Sequence, residues 1–232
     1  MVATADEMLG IGQYTPAEAA MYLRVNTATA SRWMFGDGTG ERVLTPHIDD
    51  PASRIITFVD LVQMMAVRVL RVEHKMPLDR IRRAVETARE TYQIPFPFAV
   101  QHSTYLFGDQ IVIRRGEGGE PEGYVQVSGK NRRNLMIPPI VELYMRDLAW
   151  NEAGLADHYT AWRDRDYPVV MNPRVRLGEP LMPSCGYTPF ALSEAARTEG
   201  GIERAAKAYG VKPEEVEVAC RYFDHLQGKT AA

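Results

Sequence analysis

Residues 27–32 combine small side chains with one cation in a way that suits contact with nucleic acid. The candidates are Thr27, Ala28, Thr29, Ser31 and Arg32. Ser and Thr hydroxyls hydrogen-bond to base edges, a small apolar group fits against a thymine methyl, and an Arg binds a guanine edge or a phosphate. We therefore expect these side chains to contact DNA from one helix face. The alternative is a helical hairpin that serves only packing.

The sequence just before them predicts the first helix of a helix-turn-helix. Thr15 is a candidate N-cap, Pro16 suits the first helical position, and Glu18 can complete a capping box with Thr15. Small and apolar residues then recur at helical spacing and predict the buried face, which is Ala19, Ala20 and Leu23. The two alanines allow a second helix to pack closely.

The second helix of the pair carries the candidate residues. Asn26 or Thr27 caps it, and it runs to about Phe35, where Gly36 stops it. Its inward positions are Ala30 and Trp33. The small polar side chains and the Arg are left to face outward or sideways, which is the arrangement of a DNA-reading helix.

Two short strands, 42–48 and 54–56, are predicted next, around a turn at 49–51. Strands after a helix-turn-helix suggest a wing, with Arg42 and Arg54 as candidate phosphate contacts. Either Arg is equally consistent with a solvated surface charge. Helices predicted over 58–74 and 78–92 complete a winged domain from about 12 to 94.

A β-rich middle region, 95–165, begins at a proline- and phenylalanine-containing segment. Alternating residues and turn signals predict strands at 99–102, 105–107, 110–114 and 124–127, a helix at 137–148, and further strand candidates at 161–162 and 169–170. Aromatic residues of this region are either a pocket lining or ordinary core, and we favour core. They are Phe96, Phe98, Tyr105, Phe107, Tyr124 and Trp162.

The C-terminal region, 166–228, predicts a unit of three helices at 190–198, 202–209 and from 213 onward. The last two again have the pattern of a helix-turn-helix. The outer face of the third helix is predicted to be acidic, through Glu214, Glu215, Glu217 and Asp224. Because such a face repels DNA, we interpret this unit as a dimerisation or protein-binding module. The fold class predicted for the chain is thus mainly α with β elements (α+β).

Composition excludes a broadly basic nucleic-acid-binding protein. The chain of 232 residues has 27 Lys and Arg against 30 Asp and Glu, a net charge of −3. DNA binding must therefore come from local clusters, since nonspecific affinity depends on phosphate neutralisation. Only two cysteines occur and no signal or membrane-spanning segment is evident, so we expect a cytoplasmic protein without membrane contact.

Catalytic and metal-binding patterns are not found in the sequence. The five histidines are scattered without ligand spacing, and neither cysteine has a histidine neighbour. Asp164 and Asp166 flank Arg165 and indicate a surface charge cluster rather than an acid–base pair. We expect no catalytic residue, no metal and no cofactor, and therefore no enzyme.

Two sequence signatures carry a resemblance to a known family. Residues 19–33, Ala-Ala-X-Tyr-Leu-X-Val-Asn-Thr-X-Thr-X-X-Arg-Trp, resemble the first helices of excisionase-like and MerR-like DNA-binding domains. Residues 172–180, 186–189 and 206–219 resemble a short antitoxin domain of unknown function: Asn-Pro-X-Val-X-Leu-Gly-Glu-Pro, Gly-Tyr-Thr-Pro and Ala-X-X-Tyr-Gly-Val-X-Pro-Glu-Glu-Val-X-X-Ala. The full layout resembles the long VapB-type antitoxins of bacterial toxin–antitoxin pairs.

This resemblance implies a protein that folds against a PIN-type ribonuclease toxin, blocks it, and represses the shared operon by binding operator DNA. The antitoxin itself would not be catalytic. The chain departs from common small antitoxins because it has no long polar tail to wrap a toxin, so the resemblance assigns no toxin-binding residues. The alternative function is a ligand-responsive MerR-like transcriptional regulator, with the β-rich middle as effector pocket.

A homodimer is expected because two helix-turn-helix modules on one duplex double the contact free energy and match a two-fold operator. The predicted dimer contact is the segment 169–182 with the helices after it. Pro173 and Pro180 cannot donate ladder hydrogen bonds, which favours an exposed strand edge that crosses to a partner. The alternative is an edge capped by its own chain.

Overall fold

The structure is a computed structural model that describes residues 11–36, 38, 42–50, 52–100, 104–107, 110–115, 123–126 and 146–228. The chain forms two compact units. In the described ranges, the first unit runs from Gln13 to Asp157, and the second comprises residues 11–12 and everything from His158 onward. This grouping differs from the predicted division at about 94 and 165, and the finer domain boundaries stay a prediction.

The described part of the first unit begins with four helices. They are α1, Pro16–Leu23; α2, Thr27–Phe35; α3, Phe58–Arg68; and α4, Leu78–Tyr92. A π-helical turn, Val69–Glu73, extends α3. Strands β1, Thr104–Phe107, β2, Gln110–Arg115, and β3, Gly123–Gln126, form an antiparallel sheet in that order. The strand β4, Leu148–Trp150, follows.

The central element of this unit is α3. Every residue from Phe58 to Val67 is buried, and both α1 and α2 pack against it. A helix that is apolar on all sides belongs inside a core rather than on its surface. It begins at Thr57, whose side chain and that of Asp60 form a capping box that is itself buried.

Where it is described, the second unit contains most of β5, Ala156–Trp162, then β6, Val169–Met171, and three α-helices. These are α5, Pro189–Glu199; α6, Ile202–Tyr209; and α7, Pro213–Leu226. Strands β4, β5 and β6 form a second three-stranded sheet in that order. Val169, Met182, Leu192 and Tyr222 share one buried cluster, so the last strand and the helices have a common core. The described residues therefore form a mixed α and β fold.

The predicted wing strands at 42–48 and 54–56 are wrong. Residues 42–48 form an irregular loop, because their backbone hydrogen bonds go elsewhere. The amides of Val43 and Leu44 both donate to the Trp33 carbonyl at 2.9 and 3.0 Å, and the amide of His47 donates to a carboxylate oxygen of Asp60 at 2.9 Å. Ile56 makes only a single antiparallel bridge, to Tyr14.

Predictions for the middle region are confirmed in part. The strands β1, β2 and β3 match the predicted ones closely. At 99–102 the described residues show only a bridge from Val100 to Leu155. Most of the predicted helix at 137–148 lies outside the described residues, but its last residue, Leu148, begins the strand β4, so the prediction is wrong there.

Two predictions for the C-terminal region also need correction. The outer edge of β6 is not open, because Val170 and Leu181 exchange backbone hydrogen bonds of 2.8 and 2.9 Å. The edge of β6 is therefore capped by its own chain at this point, as in the alternative given above, and a homodimer stays a prediction. Glu215 does not face outward: it is 5% exposed, and its carboxylate accepts the Lys212 amide at 2.9 Å.

Candidate nucleic-acid interface

The turn between α1 and α2 is built as the sequence predicts. Thr15 and Glu18 form the capping box, with the Thr15 amide donating to the Glu18 carboxylate at 2.7 Å. Arg24 ends α1 in the left-handed conformation, and the Val25 amide donates back to the Ala20 carbonyl at 3.0 Å. Buried Ala19 and Ala20 let the helices approach.

The outer face of α2 carries the five predicted DNA-binding residues. Asn26 caps the helix by accepting the Thr29 amide at 2.7 Å. Its buried residues are Ala30, Trp33 and Met34. Thr27, Ala28 and Arg32 are exposed, while Thr29 and Ser31 are half-buried. The structure therefore presents these side chains on the face opposite the core.

The loop after α2 is tied down beside this face. Besides the bonds to Trp33, the Arg82 side chain donates to the Arg42 carbonyl at 2.9 Å, and Arg89 donates to the Thr45 hydroxyl. Both arginines lie on α4, so an element distant in sequence helps to fix the loop. The sequence prediction of a wing missed this arrangement because none of these contacts is local.

Asp60 is the buried anchor of the same loop. Its carboxylate accepts the Thr57 amide at 3.0 Å, the Thr57 hydroxyl at 2.8 Å and the His47 amide at 2.9 Å. Burial raises the pKa of Asp60 above its ordinary value, although these hydrogen bonds act in the opposite direction. The side chain thus couples the start of α3 to the loop that faces α2.

A groove of about 720 Å³ lies between α2 and the loop. Ala28, Ser31, Arg32 and Phe35 line it from α2, and Arg42, Asp49, Asp50 and Arg54 line it from the loop. Four of the six predicted DNA-binding residues therefore meet at one groove. Thr29 instead borders a second, smaller cavity together with Arg32.

The cations of the groove differ in what they already bind. Arg42 forms a two-point ion pair with Asp49, at 2.8 and 2.9 Å. The hydrogen bonds from Arg42 lower the pKa of the Asp49 carboxyl. Arg32 has no ion pair or side-chain hydrogen bond within the described chain, so it is the cation most available to a phosphate. Arg54 donates to the Ser31 hydroxyl and lies over the Phe35 ring, 4.9 Å from its centre.

Other candidate sites are weaker. Within the described ranges, no group of three or more His, Cys, Asp or Glu side chains is placed to hold a metal ion. Cys185 and Cys220 are free, and burial raises the pKa of both thiols, so neither is an activated nucleophile. None of the helices that the structure describes is long and apolar enough to cross a lipid bilayer.

The aromatic residues proposed for an effector pocket are accounted for by packing where they are described. Phe98 is 2% exposed in the core, and Phe96 packs edge-on against His47 with ring centres 5.1 Å apart. Trp162 packs against Tyr222 and His225 in the second unit. The side chains of Tyr105, Phe107 and Tyr124 lie outside the described residues.

Two proteins of Mycobacterium tuberculosis are similar to the chain over most of its length. One, named "Putative antitoxin VapB45", is 25% identical over 228 residues, which cover 89% of this chain and 91% of that protein. The other, named "Uncharacterized protein Rv2308", is 22% identical over 237 residues, which cover 93% and 91%. No protein-family model matches the chain.

The fold also occurs in a solved structure. The crystal structure of Rv2018 from Mycobacterium tuberculosis matches with a TM-score of 0.61 and 21% sequence identity, over 91% of this chain and 99% of that one. At this identity the match supports the fold alone. The distant similarity to a protein named as an antitoxin covers both units, so it is not a likeness of one module only.

Proposed function

We propose that the protein is an antitoxin that binds and neutralises a PIN-type ribonuclease toxin and represses its own operon by binding operator DNA. The observation that carries the proposal is the similarity to a protein named as an antitoxin across 89% of the chain. The chain itself acts as a binding protein rather than an enzyme, without metal or cofactor.

The face of α2 supports the DNA-binding half of this proposal. Thr27, Ala28, Thr29 and Ser31 are base-contact candidates because small side chains can approach base edges. Arg32 is the principal phosphate or guanine contact, since its guanidinium is not engaged by the described chain. Arg42 can contact DNA only if its guanidinium separates from the Asp49 carboxylate.

The second unit is assigned to protein contacts. Glu214, Glu217 and Asp224 are exposed on α7, and carboxylates there repel the phosphates of DNA. The surface is therefore a poor nucleic-acid interface although its helix pair resembles α1 and α2. We assign it to the toxin or to a second copy of this chain.

DNA binding is tested with duplexes that the full-length protein enriches from a random library. Arg32→Ala is expected to weaken binding by about 1–3 kcal/mol, or about five- to 150-fold, in a gel-shift titration. Arg197→Ala is the matched control, because Arg197 is an exposed arginine on α5 paired with Glu194. Unchanged affinity for Arg32→Ala removes this residue from the site, and failure to enrich any sequence defeats the DNA-binding half.

The proposal predicts that a small PIN-like protein is encoded beside this gene, and toxin neutralisation is tested separately by co-expression with the product of that neighbouring reading frame. The full chain is expected to restore growth and to co-purify with that protein. Arg32→Ala should still rescue growth, because it alters only the DNA-binding face. If the wild-type chain neither rescues growth nor co-purifies, the antitoxin half is wrong.

The proposal includes a homodimer, because one such helix pair contacts few phosphates. Light scattering at micromolar concentration is expected to give twice the 26.1 kDa mass of the chain. A monomer both free and on DNA would contradict this.

A further inference from the structure

We propose that Arg54 is a positioning residue for base recognition, which holds the Ser31 hydroxyl so that its proton points to an acceptor on the DNA. This inference rests on the proposed function, because it concerns the same α2 face. It also extends the site to a residue that lies outside the helix pair.

The direction of the hydrogen bond between Arg54 and Ser31 determines what the Ser31 hydroxyl can still bind. Arg54 Nη2 donates to Ser31 Oγ, and since a guanidinium has no acceptor, the hydroxyl oxygen must accept. Two hydroxyls on other helices donate back to their own helix: Thr87 donates to the Arg83 carbonyl at 2.7 Å, and Thr198 donates to the Glu194 carbonyl at 3.0 Å. Ser31 makes no such bond in the described structure. Its proton is therefore left for a ligand.

The chemistry of the ligand atom follows from that proton. Arg54 takes one of the two lone pairs of the hydroxyl oxygen and places a positive charge beside it, so the hydroxyl favours acceptors over donors. In the major groove these are guanine N7 and O6, adenine N7 and thymine O4. The amino groups of adenine and cytosine are donors and would face the Arg54 guanidinium as well as the hydroxyl. We therefore expect Ser31 to select an acceptor edge.

Phe35 gives Arg54 its second point of support. The guanidinium carbon lies 4.9 Å from the centre of the Phe35 ring, and Phe35 is one helical turn after Ser31 on α2. A flat guanidinium can stack on a ring while one nitrogen donates to a neighbour, whereas a Lys ammonium has no plane to stack. The site thus requires Arg rather than any cation.

The backbone at Arg54 is fixed in an uncommon conformation. Its φ of 45° lies in the left-handed region, which costs energy for a residue with a Cβ. Before it, Asp50 closes a turn by accepting the Ala52 amide at 3.0 Å. After it, Ile56 and Tyr14 exchange hydrogen bonds of 2.9 and 2.8 Å. A strained residue held from both sides is typical of a site where side-chain direction matters.

Losing a positioning residue and losing a phosphate contact should affect different properties of DNA binding. Removing a phosphate contact weakens binding to all sequences and lowers the salt dependence by about one charge. Removing a positioning residue lowers discrimination between sequences instead. Arg32 supplies the matched comparison, because its cation is free to reach a phosphate.

The test uses the full-length protein, a duplex that the wild type enriches from a random library, and a scrambled duplex of the same composition. Arg54→Ala and Arg54→Lys are each expected to reduce the ratio of the two affinities about tenfold, with little change in the salt slope. Ser31→Ala should cause a similar loss, and the Ser31→Ala, Arg54→Ala pair no greater loss than either alone.

Arg54→Gly separates this role from folding. Glycine adopts a positive φ without strain. The melting temperature of the Arg54→Gly variant should therefore be at or above that of Arg54→Ala. Discrimination should nevertheless be lost, because the side chain is gone. A variant with wild-type melting behaviour and lost discrimination supports the proposal.

Four results would overturn the inference. Equal weakening on both duplexes with a reduced salt slope makes Arg54 a phosphate contact. Additive losses for Ser31 and Arg54 show that they act independently. Full discrimination in every Arg54 variant sinks this inference while the DNA-binding function stands, whereas a wild type that enriches no sequence sinks both.

Discussion

The helix pairs α1–α2 and α6–α7 have the same turn and opposite surfaces. Each first helix is eight residues long and buries two adjacent alanines, Ala19 and Ala20 in one and Ala205 and Ala206 in the other. Each ends in a left-handed residue, and the next amide bonds back to the second alanine at 3.0 Å in both. The same backbone geometry of the turn therefore occurs twice within one chain.

The outer faces differ at matching positions. Counting from the turn valines, Val25 and Val211, Ser31 on α2 corresponds to Glu217 on α7. Ala28 corresponds to the exposed Glu214 by the same count. The residues that form the turn thus vary independently of those on the outer face, so a helix-turn-helix pattern alone does not establish DNA binding.

The largest effect is expected at the buried carboxylate of the first unit. Asp60→Asn should lower the free energy of unfolding by about 1–3 kcal/mol, because an amide NH₂ must then face one of the three donors that the carboxylate accepts. Urea unfolding of the full chain measures this loss. Glu215→Gln is the comparison at the buried capping carboxylate of the second unit, which accepts one described hydrogen bond, from the Lys212 backbone amide, and should cost less.

The pH dependence of Asp60 has a definite sign. Because burial raises the folded pKa, the folded chain binds more protons than the unfolded chain above the ordinary pKa of Asp. The contribution of this group is therefore present at low pH and lost as pH rises through the folded pKa. The advantage of wild type over Asp60→Asn should narrow with rising pH, and an advantage that widens would contradict the assignment.

Ser31→Glu gives the outer face of α2 the acidic side chain that α7 has at the matching position, Glu217. We expect DNA affinity to fall at least tenfold, since a carboxylate replaces a hydroxyl next to phosphates. Glu217→Ser is the reciprocal variant and should create no DNA binding, because by the same count Val218 stands on α7 where Arg32 stands on α2. Gel-shift titration of both variants checks the comparison, and retained affinity in Ser31→Glu would place the DNA elsewhere.

Gly210→Ala tests the shared turn. Its φ is 66° and no atom lies within 4 Å of an added Cβ, so the cost is backbone strain alone, about 1 kcal/mol. Thermal unfolding measures the loss, and Lys207→Ala on the exposed side of α6 is the control. A neutral result would mean that the turn relaxes, and Arg24 shows that a non-glycine residue can occupy the same place in α1.

The smallest effect is expected at Asp49. Asp49→Asn releases Arg42 and removes a negative charge from the groove, so DNA binding should tighten a few-fold at low salt and the salt slope should rise by about one. Stability should change by less than about 1 kcal/mol, because the pair is exposed. Glu73→Gln, which releases Arg68 away from the groove, is the matched control. Unchanged binding would show that Arg42 is not a contact.

The sequence predicted what neighbouring residues determine. The caps at Thr15 and Asn26, the helix stops and the helices of the second unit follow from side chains within a few positions of each other. The candidate face of α2 follows from the same periodicity. These features survive because the tertiary structure agrees with the local preferences.

What the sequence missed depends on distant partners. The loop after α2 is not a strand because Trp33 and Asp60 take its amides, and no spacing rule indicates either bond. Arg54 donates to Ser31, which lies 23 positions earlier in the sequence. The sequence therefore indicated only an arginine near a possible wing, and not its contact with α2. Glu215 is buried because its capping bond and the helix packing coincide.

The burial of α3 has a consequence for how the first unit opens. With Phe58 to Val67 enclosed on every side, no part of this helix can detach while its neighbours stay in place. Its amide protons should therefore exchange with solvent only when the whole unit unfolds, whereas those at the ends of α1 and α2 exchange through local fraying. The slowest-exchanging amides would then mark the centre of the unit's folding cooperativity, beneath the helix proposed to read DNA.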